Sequence, residues 1–368
     1  MSTDTVQRVD VFRVPCRGPG DLSGVLALVH AGQLDAADIV AVMGKTEGNG
    51  CVNDHTRDFA ATAWKHFLGH AMDCSPAEAG DRVALVMSGG TEGVLSPHFT
   101  VFTRRRVAAP ASSEKRLVIG VAHTRDFAPE EIGRMAQVDT TAQAVRAAMA
   151  DAGITATADV HFVQVKCPLL TSEKVQAALQ RGAAPVAHDT YESMGWSRGA
   201  SALGVAVGLD EIPRAQISDA AVLADWSLYS ARASASAGIE LEGNVVIVLG
   251  EAAGAASPCR IAHTVMQDAV DAASVRRMLE RAFGPEYASM RLVNLLAKAE
   301  ASPDGRVRGE RHTMLDDSDI NATRHARAAV GGVLASVVGS TALYVSGGAE
   351  HQGPAGGGPV AAIVNIET

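Results

Sequence analysis

Short apolar runs rich in valine, leucine and isoleucine recur along the chain at 39–43, 83–87, 117–121, 160–165, 245–249, 292–297 and 343–345. Each reads as a buried β-strand. Between them the apolar positions fall at helical spacing. Three of these stretches follow an aspartate placed as an N-cap: Asp21 before "LSGVLALVHAG", Asp139 before "TTAQAVRAAMADAG" and Asp271 before "AASVRRMLERAFG". Glycines stand at their far ends, where a C-cap belongs. Strands alternating with amphipathic helices predict an α/β protein.

One order of elements occurs three times. A strand and an amphipathic helix lead to a strand ending at a lysine. A helix-forming stretch with an arginine follows, and then a strand ending at a serine. The lysines are Lys45 ("AVMGKTEG"), Lys166 ("FVQVKCPL") and Lys298 ("NLLAKAEA"). The arginines are Arg57 ("NDHTRDFA"), Arg198 ("GWSRGASA") and Arg324 ("NATRHARA"). The serines are Ser88 ("SGGTE"), Ser236 ("SAGIE") and Ser346 ("SGGAE"), each with a glutamate four places on. The middle copy is disguised by Ala237 where the others have Gly89 and Gly347. These matches divide the chain into units at 1–105, 112–250 and 256–368, with linkers read at 104–115 and 251–258. Three α/β units of one order predict a pseudo-threefold molecule with the nine side chains around one central cavity.

Composition narrows the picture. The 368 residues are 47% hydrophobic but only 4% aromatic, with 36 glycines, so the cores are built of small aliphatic side chains at close backbone distances. A net charge of −9 gives no reason to expect nucleic acid. No apolar run is long enough to span a membrane, and the polar start "MSTDTVQRVD" does not read as a signal peptide. Cys16, Cys51, Cys74, Cys167 and Cys259 have no CxxC spacing and fit free thiols in a cytoplasmic protein.

A lysine beside a serine is a base beside a nucleophile. Lysine can take the hydroxyl proton only if its pKa falls, which burial among other cations achieves. Small residues after the serine leave backbone N–H groups free to meet an oxyanion, worth roughly 3–4 kcal/mol per donor. The implied reaction is hydrolysis of an amide or imide in a polar substrate, without a catalytic cofactor. Threefold protein symmetry suits a small ring of like symmetry. A non-catalytic binder of small anions is the competing class, but a binder needs no base beside a hydroxyl.

Other patterns carry less. Gly195-Trp196-Ser197-Arg198-Gly199 matches the G-x-S-x-G elbow, but "HDTYESM" before it is a poor strand. Ser112-x-x-Lys115 lies in the segment read as linker, and Gly44-Lys45-Thr46 lacks the first glycine of a P-loop. "HTRDFA" at 55–60 recurs at 123–128, where Arg125 follows the wrong strand and reads as peripheral. No histidine pair has HExxH spacing. The glycine-rich 347–359 ("GGAEHQGPAGGGP") exposes many carbonyls near Gln352 and Glu300. It suits a hard cation such as Ca²⁺ or Mg²⁺, or else is a tight loop with no metal.

The segments "VMGKTEGNGCVND", "VMSGGTEGVLSPH", "VQVKCPLLT", "DTYESMGWSRGASALG", "SASAGIELE", "RHTMLDDSDIN" and "YVSGGAEHQGPAGGGP" closely resemble the cyanuric acid hydrolase/barbiturase family, from about Val9 to the end of the chain. That resemblance implies three similar α/β repeat units with pseudo-threefold symmetry around a barrel-like core, helices outside and the active site at the centre. It implies opening of the s-triazine ring of cyanuric acid to carboxybiuret, which loses CO₂ to give biuret, a step in triazine breakdown. It implies Ser236 as nucleophile and Lys166 as its base, with Lys45 and Lys298 completing the other pairs. Arg57, Arg198 and Arg324, with Ser88 and Gly89, Ser236 and Ala237, and Ser346 and Gly347, would hold the substrate. A structural Mg²⁺ or Ca²⁺ would sit on Glu300, Ala349, Gln352, Gly353, Pro354 and Gly357. Family members are homotetramers as a rule. Barbituric acid is the alternative substrate.

Overall fold

The computed structural model describes residues 5–108, 113–285 and 291–367. The first part holds β1 (Thr5–Pro15), α1 (Ser23–His30), β2 (Ile39–Thr46), α2 (His55–Ala71), α3 (Pro76–Arg82), β3 (Ala84–Gly89) and β4 (His98–Ala108). The second holds β5 (Lys115–His123), α4 (Met135–Ala152), β6 (Val160–Cys167), α5 (Ser172–Gln180), α6 (Thr190–Gly208), β7 (Ala233–Ala237) and β8 (Val245–Ala253). The third holds β9 (Cys259–Met266), α7 (Ala272–Phe283), β10 (Arg291–Ala299), a small hairpin of β11 (Arg306–Val307) and β12 (Glu310–Arg311), α8 (Ala322–Val338), β13 (Tyr344–Gly347) and β14 (Gly358–Asn365).

Each part forms one four-stranded sheet, in the orders β1-β4-β2-β3, β5-β8-β6-β7 and β9-β14-β10-β13. In every sheet the last strand returns antiparallel between the first and second, and the second and third run parallel. Even the irregularities repeat: the register shifts at Ile39/Ala41, Val160/Phe162 and Leu292/Asn294, near the start of the lysine strand each time. The fold is thus three repeats of one α/β unit.

Both faces of these sheets are buried, which is why the central strands read as continuous apolar runs rather than alternations. One face of each sheet joins a common core, where Met43 and Phe102 meet Phe162 and Ile247 and also Leu296 and Tyr344. The other face packs under the helices of its own unit. In the first unit Trp64 of α2 is fully buried and meets Phe99 edge-on, with centroids 5.3 Å apart. Burying such a ring stabilises the fold by roughly 2–3 kcal/mol. Barrel inside and helices outside therefore follow from which residues alternate to which face.

The sequence reading missed β1, β4, β9, β14 and the β11–β12 hairpin. It also took parts of β4 and β8 for linkers. Residues 104–108 are strand, although "RRR" looks like a solvated stretch; there Arg104 pairs with Asp151 and Arg105 reaches Asp10 at 3.5 Å. Residues 109–112, including Ser112, lie outside the described residues. The segment 251–258 is built into the core. Glu251 accepts from Ile261 N at 3.1 Å, and Ser257 ties β1 to β5 by accepting from Val9 N at 2.8 Å and donating to Leu117 O at 2.6 Å. Asp271 caps α7 through Ser274 N, as read. Asp139 does not cap: α4 starts at Met135, and the Asp139 carboxylate binds Arg214 from within the helix. Asp21 accepts from Ser23 N at 3.1 Å, one residue ahead of the N-cap position, Leu22.

Candidate active site

Parallel pairing puts each lysine directly beside its serine. The register matches Lys45 with Ser88, Lys166 with Ser236 and Lys298 with Ser346. All six are buried, the lysines at 0–1% exposure. The three strand ends converge on one cleft lined by Ser88, Ser236, Ser346, Lys166, Arg57 and Arg198, with Gly89, Ala237 and Gly347 beside the serines. The cleft is narrow, with a volume of ≈ 20 Å³. Another cavity, of ≈ 530 Å³, lies between β1 and the start of β10 and contains none of these groups.

Hydrogen bonds link the units around the ring. Lys45 Nζ donates to Ser88 Oγ at 3.2 Å and Gly89 O at 3.3 Å. Lys298 Nζ lies 3.4 Å from Ser346 Oγ and donates to Gly347 O at 3.0 Å and, across the unit boundary, Ala235 O at 2.8 Å. Lys166 Nζ crosses the next boundary to Met87 O at 3.0 Å. Ser88 Oγ and Ser346 Oγ are 3.3 Å apart. Burial pushes all three lysines down, Lys298 to about 7 and Lys45 well below its ordinary value. Neighbouring cations add to this: Arg327 for Lys45, Arg57 for Lys166 and Arg198 for Lys298. Desolvated amines of this kind can act as bases near neutral pH.

The arginines arrive on the helices that follow the lysine strands. Arg57 sits in the first turn of α2, whose cap Asp54 accepts from Thr56 N and Gly50 N. Arg57 donates to Ala237 O at 3.1 Å and Cys51 O at 2.6 Å, and its buried Nε makes no hydrogen bond but lies 3.8 Å from Asp54 Oδ2. Arg198 is fixed by Glu350 at 2.7 and 2.5 Å. On α8 the residue lining the cleft is Arg327, which the sequence reading passed over; it is gripped by Glu92 at 2.8 and 2.5 Å. Arg324 lies one turn earlier, with a side chain 40% exposed, in the wall of an adjoining pocket, and reaches Glu92 at 3.4 Å. The carboxylates are the glutamates four places after the serines, so Ser-x-x-x-Glu carried a signal for them. Each bidentate pair joins two units.

Gly89 has no room for a side chain, since a Cβ there would lie 1.7 Å from Asp54 Oδ2. Gly89→Ala should therefore dislodge the cap of α2 and the Arg57 it orients, lowering stability by about 1–2 kcal/mol. Urea denaturation would read that loss, and a raised KM would accompany it; an unchanged midpoint and KM would refute it.

Several patterns are placed elsewhere. Ser197 lies inside α6 and accepts from Gln137 Nε2 at 2.9 Å, so it is no nucleophile elbow. Arg125 pairs with Glu131 at the surface. Lys115 starts β5 and pairs with Asp159. Glu300 is next to the third lysine strand, accepts from Ala349 N, and is pushed up to about 7 by burial and by Glu350. Gln352 is buried, accepting from Ala235 N at 2.7 Å, and Gly353, Pro354 and Gly357 lie in the loop between β13 and β14. Among the described residues no three His, Cys, Asp or Glu side chains group as a metal cluster. No helix among them is long and apolar enough to cross a membrane.

A cleft with three serines, a buried lysine and a ring of arginines is chemically suited to a polar acyl substrate. Residues 10–365 match the profile of the amidohydrolase ring-opening proteins, and this chain belongs to that family of enzymes acting on cyclic amides. It is 61% identical to a cyanuric acid amidohydrolase of Pseudomonas sp. (strain ADP), over 96% of this chain and 98% of that one. It is 59% identical to the corresponding protein of Bradyrhizobium diazoefficiens, over 97% and 98%. A solved structure of cyanuric acid hydrolase superposes with a TM-score of 0.95 at 60% identity, covering 98% of this chain and 100% of that one.

Proposed function

We propose that this chain is a cyanuric acid amidohydrolase that opens the s-triazine ring to carboxybiuret, which then loses CO₂ to give biuret. The three serines, each paired in register with a buried lysine, meeting with Lys166 in one arginine-lined cleft support this reading most directly. Cyanuric acid repeats one carbonyl and one N–H three times, so each unit can offer the same groups to one third of it.

Chemistry at a single carbon needs one of the three pairs. Ser236 is the nucleophile and Lys166 its base. Neutral Lys166 takes the Ser236 proton as Oγ attacks a ring carbonyl carbon. The oxyanion meets N–H groups at the strand ends and the arginine ring. As the C–N bond breaks, ammonium Lys166 gives its proton to the leaving ring nitrogen. Water then attacks the acyl-serine, Lys166 takes its proton, and Ser236 recovers the hydrogen. At ≈ 20 Å³ the cleft must widen to admit the ring.

A divalent cation fits the third unit. Glu300 is a buried carboxylate raised by a second carboxylate, and a cation would relieve both. Glu300, Gln352 and the backbone of Ala349, Gly353, Pro354 and Gly357 would hold it. Its contribution when bound is charge neutralisation that fastens the loop after β13 to the Lys298 strand.

Incubating the purified protein separately with cyanuric and barbituric acids tests the reading. The expected result is consumption of cyanuric acid with biuret and CO₂ released in equal amounts. Faster opening of barbituric acid would make it a barbiturase, and binding of cyanurate without products would make it a binder.

A further inference from the structure

The threefold pattern of carboxylates is broken at one place. Glu92 grips Arg327 and Glu350 grips Arg198, each through two short bonds across a unit boundary, and their side chains are only 14–15% exposed. By the same rotation Glu240 should grip Arg57. It forms no such bond among the described residues. Arg57 instead donates to two backbone carbonyls, and its Nε lies 3.8 Å from the carboxylate of Asp54 in its own unit. The Glu240 carboxylate lies 3.4 Å from Lys166 Nζ, with a side chain 37% exposed. The serines break symmetry at the same unit. Ser88 and Ser346 lie within hydrogen-bonding distance of each other and of their lysines, whereas Ser236 Oγ meets only Gln164 Nε2, at 3.4 Å, among the described residues.

We propose that Glu240 is a positioning residue: its carboxylate holds Lys166 in its ammonium form while the serine proton is in transit, and this makes the Ser236–Lys166 pair the reactive one of the three. The inference rests on Ser236 and Lys166 being nucleophile and base. A base in a dry cleft must carry a positive charge between taking the proton from Ser236 and giving it to the ring nitrogen. Burial opposes that charge, as does Arg57 on α2; the Cys167 thiol next to it in β6 is itself held protonated by burial. Met87 O supplies one acceptor, and Glu240 is the facing carboxylate. At Lys45 the neighbouring Glu92 is committed to Arg327 and Arg324, and among the described residues no carboxylate forms an ion pair with the amine. Glu240 stays ionised throughout, and no atom is transferred to it. Being partly wet, it makes a moderate interaction that can switch between Lys166 and Arg57 as the substrate enters.

The test is the pH profile of kcat/KM for cyanuric acid in wild type, Glu240→Gln, Glu240→Asp and Glu92→Gln. Glu240→Gln should lose about 10–100-fold in kcat, and its acid limb should move down by about one pH unit, because the ammonium has lost its partner. Glu240→Asp should recover part of both. Glu92→Gln should raise KM and leave the acid limb in place, since it frees arginines and not the base. An acid limb unmoved in Glu240→Gln, or moved equally in Glu92→Gln, would overturn the proposal. Ser236→Ala separates the two failures. If it still turns over, the nucleophile assignment falls; if it is dead and the Glu240→Gln limb is unmoved, only the role of Glu240 falls.

Discussion

Ser236→Ala should abolish ring opening, with kcat lowered by about 10⁴-fold or more, while Ser88→Ala and Ser346→Ala should keep measurable turnover with raised KM. The three serines share a register position and depth, so position alone does not distinguish them. Their partners do. Ser88 and Ser346 are within 3.3 Å of each other and within reach of their own lysines, an arrangement that holds two oxygens as a fixed polar wall. Ser236 stands outside that link, opposite a lysine that faces a carboxylate. Removing a wall hydroxyl costs the substrate a hydrogen bond, of the order of 1–2 kcal/mol. Removing the attacking oxygen leaves only the oxyanion donors and the bound geometry to help water. Rapid acid quench during turnover, followed by peptide mass analysis, gives the complementary result. Wild type should carry an adduct of the whole substrate mass on the Ser236 peptide, since opening a ring by acyl transfer releases no fragment. Equal residual rates in all three alanine variants would sink the assignment of a single nucleophile.

How much of this was legible in the sequence depended on what each residue has to do. Lysines and serines were found because parallel pairing repeats them at the ends of apolar strands, and strand ends are visible where an apolar run stops. Arg327, one turn after Arg324 on the same helix, was not picked out. Arg324 matches Arg57 in sequence, each being the third residue of its helix, but the residue facing the cleft from α8 is Arg327. Helix phase relative to a neighbouring unit is a tertiary property and leaves no local mark. The glutamates were in view as the last letter of SGGTE, SAGIE and SGGAE, yet their partners lie in another unit, more than 150 residues away for Glu92 and Glu350. The missing strands failed for a different reason. β4 leaves the core as "RRR", and its charges are neutralised by Asp10 and Asp151 from elements that sequence spacing does not bring near.

Lys166→Met should cost about 10²–10⁴-fold in kcat/KM and at the same time make the protein more stable. The lysine is 1% exposed, and methionine can fill its place with an unbranched apolar chain. Burial lowers the lysine pKa in the fold against the drag of Glu240, while in the unfolded chain the amine titrates near 10.5. Between the lowered value and 10.5 the unfolded state therefore binds the extra proton. Stability of the wild type rises with pH through that window, and the cost of burying the amine is greatest at its acid end. The variant lacks this group, so its gain over wild type should be largest near neutral pH and fade as pH approaches 10.5. Its pH slope should be shallower, by up to about 1.4 kcal/mol per pH unit. Thermal melts of both proteins at several pH values between 7 and 10 read the difference directly. Glu240, at 37% exposure, can turn to water when its partner is removed, so its loss of the lysine offsets little of the gain. A variant that is less stable than wild type with an unchanged slope would mean that Lys166 is held as a permanent ammonium, and a permanent ammonium cannot take the Ser236 proton.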